Sequence, residues 1–431
     1  MTPVSYEPKA KTGTGPEAWY GLPKDVRFCK VCCITNQRPC SVNEYAHTRH
    51  SIKETISIND AGICSACINK EHQHTNIDWK ARENELMDIC DRYRKNDGSY
   101  DCIVPGSGGK DSVYAAWLLK YKYKMHPLTV TWSPHLYTEV GWKNFQSWIH
   151  KGGFDNYLFT PNGRTHRLIT KLAVENLLHP FQPFILGQKT YVAKMCAMFN
   201  IPLAFYGEMP GEYGSSEGVA ASAGEKKFSS AAGSGFSTDM YGEKKVEDMC
   251  LGGVTVREIK QRHDVPLADL KPYLPVDPVV IKEKKIEVYF TGYFEKWDPQ
   301  ECYYFSVDKI GFEANPVRTE GTYSKYNSLD DKIDGFFYYT SHIKFGMGRA
   351  MQDAAQEIRN KKIITDEGKA LIKKFDGEFP KRFYAEFLEY VGMTDEQFKG
   401  ICDSFRSPHL WAKVDGEWKL RHTVNKDGVD D

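Results

Sequence analysis

Apolar and polar positions in the middle of the chain alternate between two periodicities. Short apolar runs of strand length stand at four places, 101–106, 127–132, 156–160 and 201–208. Stretches with the spacing of an amphipathic helix separate them, at 111–122, 141–151, 168–179 and 189–199. Strands that alternate with helices in this way are typical of a parallel sheet covered by helices on both faces. The pattern therefore predicts an α/β fold with a doubly wound parallel sheet.

The flanking regions have different patterns, and they divide the chain into four predicted parts. Residues 1–25 are rich in Pro, Gly, Thr and Lys and are predicted to form a flexible arm. Residues 26–78 form a small segment that carries paired cysteines. The α/β domain is predicted over 79–290, with a helix near 77–95 at its start. A mostly helical region over 291–431 is expected to complete the active site.

One stretch inside the predicted α/β domain breaks the alternation. Residues 211–245 are crowded with Gly, Ser and Ala. Two interpretations stay open, because long loops are usually either functional or disordered. The stretch is a disordered insertion, or it is a lid or partner-docking loop that leaves from the edge of the sheet.

The first predicted strand runs directly into a turn rich in glycine and serine, within the stretch IVPGSGGKDSVYAAWLL at 103–119. A Walker-type phosphate loop needs Ser or Thr after Gly-Lys, and here Asp111 follows Lys110. Two glycines permit positive φ, and the first N–H groups of the next helix face the turn. The predicted binding residues are Ser107, Gly108, Gly109, Lys110, Asp111 and Ser112. We expect the turn to hold pyrophosphate, with Asp111 capping the helix; an ordinary capped glycine turn is the alternative.

A second candidate residue belongs to the same edge of the sheet. Ligands of doubly wound sheets bind beyond the carboxyl ends of the strands, where the 107–112 turn lies. Glu208 ends the fourth predicted strand and therefore also reaches this edge. Its carboxylate could act as a general base or hold Mg²⁺, or it could simply cap a helix.

Composition and charge exclude several classes of protein. The chain has 431 residues, with 57 Lys and Arg against 57 Asp and Glu. This balance gives no overall attraction to nucleic acid or to an acidic membrane surface. No apolar run approaches the length of about 18 residues that indicates a membrane helix, and the N-terminus lacks the apolar core of a signal peptide. We expect a soluble, cytoplasmic protein without nucleic-acid or membrane partners.

Four of the twelve cysteines form two Cys-x2-Cys pairs. The pairs are Cys29 with Cys32 and Cys64 with Cys67. Two such pairs in a chain without a secretory signal predict a tetrahedral Zn²⁺ site. Because four thiolates leave no open position for a substrate, the predicted role is structural. Unmetallated thiols are the alternative, and six residues compete as ligands: Cys33, Cys40, His47, His50, His72 and His74.

The turn after the first strand resembles the signature of a known superfamily. SGGKDS at 107–112 matches the SGGxDS motif of the PP-loop ATP pyrophosphatases, which include GMP synthetase, asparagine synthetase and tRNA-thiolation enzymes. The resemblance implies that ATP is cleaved between its α and β phosphates. AMP would pass to a carbonyl oxygen, and the loop would hold the departing pyrophosphate. Some thiolation enzymes of this superfamily carry an iron–sulfur cluster, so zinc and iron–sulfur both remain open at the four cysteines.

Further segments resemble a narrower family, the N-acetyl sugar amidotransferases, which are WbpG-like or PseA-like proteins. The resemblance rests on the cysteine pairs, on FYGE at 205–208 and on the long stretch NPVRTEGTYSKYNSLDDKIDGFFYYTSHIKFGMGRAMQDAAQEIRN at 315–360. It implies ATP-dependent conversion of an acetamido group of a nucleotide-activated sugar into an acetamidino group, with ammonia as nucleophile. The implied pathways are bacterial lipopolysaccharide O-antigen and nonulosonic acid biosynthesis.

The long stretch also carries candidate catalytic residues. Arg349 is predicted near a helix N-terminus, where anions are favoured, and shares a helix face with Asp353. Lys325, Lys344 and Arg349 are candidates for binding the ATP phosphates or a nucleotide-sugar diphosphate; a surface ion pair and solvated lysines are the alternative. Asp330 and Asp331 are weaker candidates for Mg²⁺, because adjacent acids often begin a helix. The predicted catalytic set is Asp111, Lys325, Lys344, Arg349 and Glu208.

The chain shows no glutaminase of its own, because its cysteine-containing stretches lack the context that such enzymes need. The resemblance implies a separate glutaminase, similar to the one of histidine biosynthesis, and leaves room for a cyclase-like subunit between them. Two rival functions stay open at this stage. One is a PP-loop sulfur transferase acting on tRNA or a small molecule, and the other is a zinc-binding scaffold with a degenerate nucleotide fold.

Overall fold

The computed structural model describes residues 16–40, 43–207 and 245–431. The N-terminal segment is largely irregular, with one 3₁₀ turn, Glu44–Ala46, followed by the helices Ser65–Thr75 and Trp79–Tyr93. The second helix begins where the sequence places a capping residue, because the Asp78 side chain accepts hydrogen bonds from the Lys80 and Ala81 N–H groups. This helix corresponds to the one predicted near 77–95.

A five-stranded parallel sheet forms the centre of the described chain. Its strands are β1 (Cys102–Pro105), β2 (Pro127–Trp132), β3 (Asn156–Phe159), β4 (Leu203–Tyr206) and β7 (Glu287–Phe290), in the spatial order β3-β2-β1-β4-β7. All four strand pairings are parallel. The predicted α/β class is confirmed, and four strands lie where the apolar runs indicated. The fifth strand was not predicted, because it follows the charged run KEKK at 282–285.

Two apolar cores lie on opposite faces of this sheet, as the two-residue period of a strand requires. In β1, Ile103 faces one core, whereas Cys102 and Val104 face the other. Helices Gly163–Leu177 and Gln182–Phe199 cover the first face. The opposite face is covered by four helices, Trp79–Tyr93, Lys110–Trp117, Glu139–His150 and Pro299–Ile310. The parallel sheet is therefore covered on both sides.

The observed helices differ from the predicted ones mainly at their ends. The helix after β1 runs over Lys110–Trp117 and continues as a π-helical turn, Leu118–Lys122, so the predicted 111–122 span is one continuous helical segment. Helix Gln182–Phe199 begins well before the predicted start at 189. Its first turns carry apolar residues on several sides and are largely buried, so no amphipathic period marked them.

Two short strands and several helices follow β4. The strands are β5 (Cys250–Leu251) and β6 (Val254–Thr255), and they form an antiparallel hairpin. The helices from here to the end of the chain are Val256–His263, Leu267–Leu270, Pro278–Glu283, Thr291–Phe294, Pro299–Ile310, Asp334–Phe345, Arg349–Arg359, Thr365–Phe375, Tyr384–Val391 and Asp395–Ser404. The prediction of a mostly helical C-terminal region agrees with these elements.

One element of this region departs from the helical prediction. The last strands, β8 (Trp411–Val414) and β9 (Glu417–Leu420), form an antiparallel hairpin. Its turn residues Asp415 and Gly416 both have positive φ, at 54° and 85°. Asp-Gly between alternating residues is a strong hairpin signal, so this element was recognisable in the sequence.

Glu208 and residues 211–244 lie outside the described residues, so the predictions made for them stay predictions. Within the part of the chain that the structure describes, no helix combines the length and the apolar character needed to cross a membrane.

Candidate functional site

The predicted phosphate loop lies at the carboxyl end of β1, the central strand of the sheet. β1 has β2 as its neighbour on one side and β4 on the other. Gly108 has φ of +83°, and a Cβ there would stand 2.7 Å from the Phe145 Cα atom. A Cβ at Gly106 would stand 2.2 Å from that of Ser112. Both positions therefore need glycine for the turn itself. Gly109 has an ordinary φ of −67°, and a Cβ there would meet only Ser107 Oγ, at 3.7 Å.

The helix after the loop begins at Lys110, so its first N–H groups face the turn without partners inside the helix. The predicted capping role of Asp111 is wrong, because the N-cap is Gly109 and no side chain caps this helix. The Asp111 carboxylate instead accepts hydrogen bonds from Lys110 Nζ at 2.7 Å and from Trp297 Nε1 at 3.0 Å. Both carboxylate oxygens are thus held in place at the edge of a cavity.

The loop forms one wall of a cavity of about 410 Å³. Residues of the C-terminal region form another part of its wall. Its lining includes the loop, one residue of helix Gln182–Phe199 and residues of the C-terminal region: Ser107, Gly108, Gly109, Lys110, Asp111, Gln188, Trp297, Asp330, Asp334, Tyr338, Arg349, Gln352, Asp353 and Gln356. Residues more than two hundred positions apart in the sequence therefore meet in a volume of the size that small-ligand sites usually have.

Two carboxyl groups of the C-terminal wall line the cavity, those of the partly buried Asp330 and the buried Asp334. Asp330 Oδ2 accepts a hydrogen bond from Ser107 Oγ at 2.8 Å. Burial raises the pKa of Asp330. Asp334 begins the helix Asp334–Phe345, and burial raises its pKa to about 7, an effect that the charge of Arg349 opposes. Both groups are costly to ionise as they stand, so a bound cation would offset the cost.

Arg349 lies on the same wall, at the first position of the helix Arg349–Arg359. Its Nε atom lies 2.9 Å from Asp353 Oδ1, and the guanidinium lies over the ring of Tyr338, whose hydroxyl it also contacts. Asp353 is fixed in turn by Thr322 Oγ1 at 2.6 Å and by Asn327 Nδ2 at 3.3 Å. The predicted pair of Arg349 and Asp353 is therefore a partly buried ion pair in the cavity wall.

The two lysines of the predicted set do not line this cavity. The exposed Lys325 donates a hydrogen bond to the Pro316 carbonyl at 3.1 Å. Lys344 is buried and donates to the Leu177 carbonyl at 2.8 Å. Burial lowers the pKa of Lys344 well below its usual value, and the nearby Lys53 lowers it further.

Asp331 also points away from the loop, unlike its neighbour Asp330. Its Oδ2 atom accepts hydrogen bonds from the His135 backbone N–H at 2.7 Å and lies 2.8 Å from His135 Nδ1. Asp331 thus joins two segments of the chain. Of the two adjacent acids, the geometry leaves Asp330 as the one available to a ligand in the cavity.

Sequence reasoning missed several residues of the cavity. Asp334 and Tyr338 lie within the stretch 315–360, four positions apart, as residues on one helix face do. That spacing could have indicated that both residues face the same site. Trp297 and Gln188 carried no signal, because nothing in their local sequence marks a contact with the loop.

A second candidate site lies in the N-terminal segment. The Sγ atoms of Cys29, Cys32, Cys64 and Cys67 all lie within 4.8 Å of one another, and all four residues are buried. Two of the separations are 3.8 Å for Cys29 and Cys67 and 3.5 Å for Cys32 and Cys64. Tetrahedral Zn²⁺ with Zn–S bonds of about 2.3 Å would separate its sulfur ligands by about 3.8 Å. The four cysteines could therefore bind a metal such as zinc.

A buried arginine accompanies this cysteine cluster. Arg359 Nη1 lies 3.5 Å from Cys32 Sγ. Burial alone would lower the pKa of Arg359, but the neighbouring Cys32, Cys64 and Cys67 raise it above its ordinary value. A metal held by four thiolates carries net negative charge, which a buried guanidinium partly balances.

The other residues predicted to compete for the metal lie outside the cluster. Cys33 is buried with its Sγ 3.9 Å from the Thr365 carbonyl oxygen. His47 pairs with Glu44, His72 with Asn76, and His74 with the carbonyl of Arg359. Neither Cys40 nor His50 belongs to the group of possible metal ligands found among the described residues.

Comparison with known proteins bears on the C-terminal wall of the cavity. Residues 320–425 match the family described as LPS biosynthesis protein WbpG-like, C-terminal domain. An uncharacterized protein of Methanocaldococcus jannaschii, MJ1599, is 37% identical over 91 residues, which is 21% of this chain and 31% of that protein. The chain thus spans about a third of the length of this curated relative. The region 320–425 is thus similar to the WbpG-like C-terminal domain, and the match includes Asp330, Asp334, Arg349 and Asp353.

Proposed function

We propose that the protein is an ATP-dependent N-acetyl sugar amidotransferase that acts on a nucleotide-activated sugar in bacterial lipopolysaccharide O-antigen or nonulosonic acid biosynthesis. One observation carries the proposal. The SGGKDS loop and the WbpG-like region, far apart in sequence, both line one cavity. A loop suited to pyrophosphate and a domain related to lipopolysaccharide biosynthesis would thus serve one reaction.

The proposed reaction has two steps, and one group leaves in each step. The oxygen of the acetamido group attacks the α-phosphorus of ATP, the bond from Pα to the bridging oxygen breaks, and pyrophosphate leaves. Ammonia then attacks the carbon of the adenylated acetamido group, AMP leaves with the electrons of the C–O bond, and the attacking nitrogen gives up a proton to a base. The products are the acetamidino sugar, AMP and pyrophosphate. Adenylation is needed because an amide oxygen by itself is a poor leaving group.

The loop and Arg349 would bind the phosphates. The first-turn N–H groups after Gly109, together with Ser107 and Lys110, face the site of the departing pyrophosphate. Gly109 leaves room there, since a side chain at this position would meet only Ser107 Oγ. Arg349 lines the same cavity and adds a planar cation held in position by Asp353.

Mg²⁺ fits the chemistry of the carboxyl groups in the cavity. Asp111 and Asp330 both line it, and Mg²⁺ prefers carboxylate oxygens together with the phosphates of a substrate. Burial opposes ionisation of Asp330, and a divalent cation would relieve that cost. When bound, Mg²⁺ would offset the charge of the phosphates. Glu208 remains a predicted alternative ligand or base.

Asp334 is the described residue best placed to accept a proton from the attacking nitrogen. It lines the cavity, and its pKa is raised to about 7 by burial. A general base is most effective when its pKa lies near the operating pH. Lys325 and Lys344, which lie away from the cavity, have no role in the proposed chemistry at this site.

The four-cysteine centre would hold Zn²⁺ in a structural role. The four buried thiols would complete a tetrahedral shell and leave no position for a substrate. A PP-loop sulfur transferase would place a reactive cysteine in the cavity. Among the described residues that line it, none is a cysteine, and the nearby Cys302 is buried with a pKa raised by burial. The amidotransferase is therefore favoured over the sulfur transferase.

Incubation of the purified chain with ATP, ammonium and UDP-diacetamido sugars tests the proposal by mass spectrometry. The expected product is lighter than the substrate by the difference between an oxygen atom and an NH group, and AMP accumulates with it. A sulfur-containing product would favour the sulfur transferase. The absence of both adenylation and ATP–pyrophosphate exchange would refute the proposal.

A further inference from the structure

A single helix connects the cysteine centre with the candidate active site. Helix Arg349–Arg359 has 11 residues and therefore spans about 15 Å. Arg349 lies at its first position in the cavity wall, and Arg359 lies at its last position beside Cys32. The two ends of one rigid element thus contact two separate sites.

The two faces of this helix are divided between the same two sites. Met351, Ala354, Ala355 and Ile358 pack in one apolar core with the four cysteines of the centre. The opposite face supplies Arg349, Gln352, Asp353 and Gln356 to the cavity. A shift of the helix against the cysteine centre would therefore move the residues that face the ligand.

The N-terminal end of the helix is fixed by backbone contacts. Asp376 accepts hydrogen bonds from the Gly348 N–H at 2.8 Å and from the Met351 N–H at 3.0 Å. At the other end, the buried Arg359 is 3.5 Å from Cys32 Sγ, and its carbonyl oxygen lies 3.4 Å from His74 Nε2. A cation at a helix C-terminus also interacts favourably with the helix dipole.

We propose that Arg359 is a positioning residue that makes the geometry of the cavity depend on the metal content of the four-cysteine centre. With the metal bound, the charged sulfur shell holds the Arg359 guanidinium, and the helix presents Arg349 and Asp353 to the ligand. Loss of the metal removes the fixed, negatively charged sulfur shell beside the buried guanidinium, and the loss of that charge interaction is costly. The helix then loosens, and phosphate binding in the cavity weakens. The inference rests on the proposed function only for the identity of the ligand.

The test compares four full-length proteins, the wild type, Arg359→Met, Arg359→Lys and the control Arg49→Met. Arg49 is another partly buried arginine, which donates to the Ser404 side chain away from this helix. Hydrogen exchange of residues 349–356, ATP affinity and metal content are measured for each. For Arg359→Met we expect about tenfold faster exchange in 349–356 and about tenfold weaker ATP binding, as the loss of a hydrogen bond to a charged group would give. Arg359→Lys should recover part of the exchange protection and part of the ATP affinity. Arg49→Met should leave the exchange of 349–356 and the ATP affinity unchanged.

Wild-type exchange and ATP affinity in Arg359→Met would overturn the proposal. If Arg359→Met does not fold, chelation of the wild-type metal takes its place. Unchanged protection of 349–356 after verified metal loss would overturn the proposal equally. The exchange readout does not depend on turnover, so a chain that shows the helix response but fails to bind ATP refutes the proposed function and leaves the coupling standing.

Discussion

Asp334 has surroundings that its local sequence does not suggest. It stands at a helix start, where acids are common, yet it is buried in the cavity wall with a pKa raised to about 7. The ordinary value in an unfolded chain is about 3.9. Its protonated form therefore contributes stability that is fully present below pH about 4 and is lost as the pH rises through about 7.

Replacing Asp334 with Asn should expose this pH dependence. In buffer without Mg²⁺, we expect the stability of the wild type relative to Asp334→Asn to fall between pH 4 and pH 7, by at most about 1.4 kcal/mol per pH unit. Urea unfolding at several pH values measures the difference. Asp403→Asn, at an exposed helix position, is the control and should show no such trend. A constant difference across this range would contradict the assignment of a raised pKa.

Gly109 offers a second test at the scale of one residue. Its φ is ordinary, and a Cβ would meet little of the protein, so packing does not require glycine there. We expect Gly109→Ala to keep the wild-type melting temperature and to weaken ATP binding about tenfold or more, or by about 1.4 kcal/mol. Gly400→Ala, on an exposed helix with open space around the position, should leave ATP affinity unchanged. Unchanged affinity in Gly109→Ala would show that the ligand does not approach this glycine.

At the scale of elements, the N-terminal segment depends on contacts outside itself. Its four paired cysteines share one apolar core with Phe345, Met351 and Trp411 of the C-terminal region. A metal in the cysteine centre would thus stabilise two distant parts of the chain at once, because metal binding contributes directly to folding.

Serine substitution separates the metal ligands from other buried thiols. We predict about one zinc per chain for the wild type, and loss of the metal with a lower melting temperature for Cys64→Ser. Cys33→Ser is the matched control, since Cys33 is equally buried but its Sγ lies outside the cluster. Elemental analysis and thermal unfolding provide the measurements. Iron in place of zinc would indicate a cluster, and the absence of both metals would refute the site.

At the scale of the whole molecule, the cavity that the loop shares with the C-terminal wall predicts which products are formed from ATP. We expect AMP and pyrophosphate, and no ADP. Ser107→Ala and Asp111→Ala should lower turnover by about a hundredfold or more, as the loss of a preorganised group at a reacting centre does, while the fold stays intact. Chromatography of the nucleotides measures the turnover, and circular dichroism checks that the variants are folded. ADP as the main product would exclude the pyrophosphatase chemistry.

The source of ammonia is a further property of the whole assembly. We expect the isolated chain to use ammonium and not glutamine, and to gain the use of glutamine when a glutaminase similar to that of histidine biosynthesis is added. The reason is that ammonium dominates over ammonia at neutral pH, so direct delivery is favoured. Rates with each nitrogen source measure this. Equal turnover of glutamine by the isolated chain would remove the need for a partner.

Local patterns determined the α/β class, four of the five sheet strands and the position of the glycine turn. Each depends on residues within a few positions of one another, such as the apolar run of Cys102–Pro105 and the glycines after it. The paired cysteines were equally visible, because two residues between them suit one metal, and the structure brings the pairs together.

The tertiary structure alone decided which polar residues share a site. It placed Asp330 against Ser107 and turned the adjacent Asp331 toward His135, a choice that two neighbouring identical residues do not reveal. In the folded chain Trp297 donates a hydrogen bond to Asp111, and Lys344 is buried away from the cavity, where it donates to the Leu177 carbonyl. These contacts join residues far apart along the chain, and packing between whole elements sets them. A periodicity read within a few turns of one element contains no information about them.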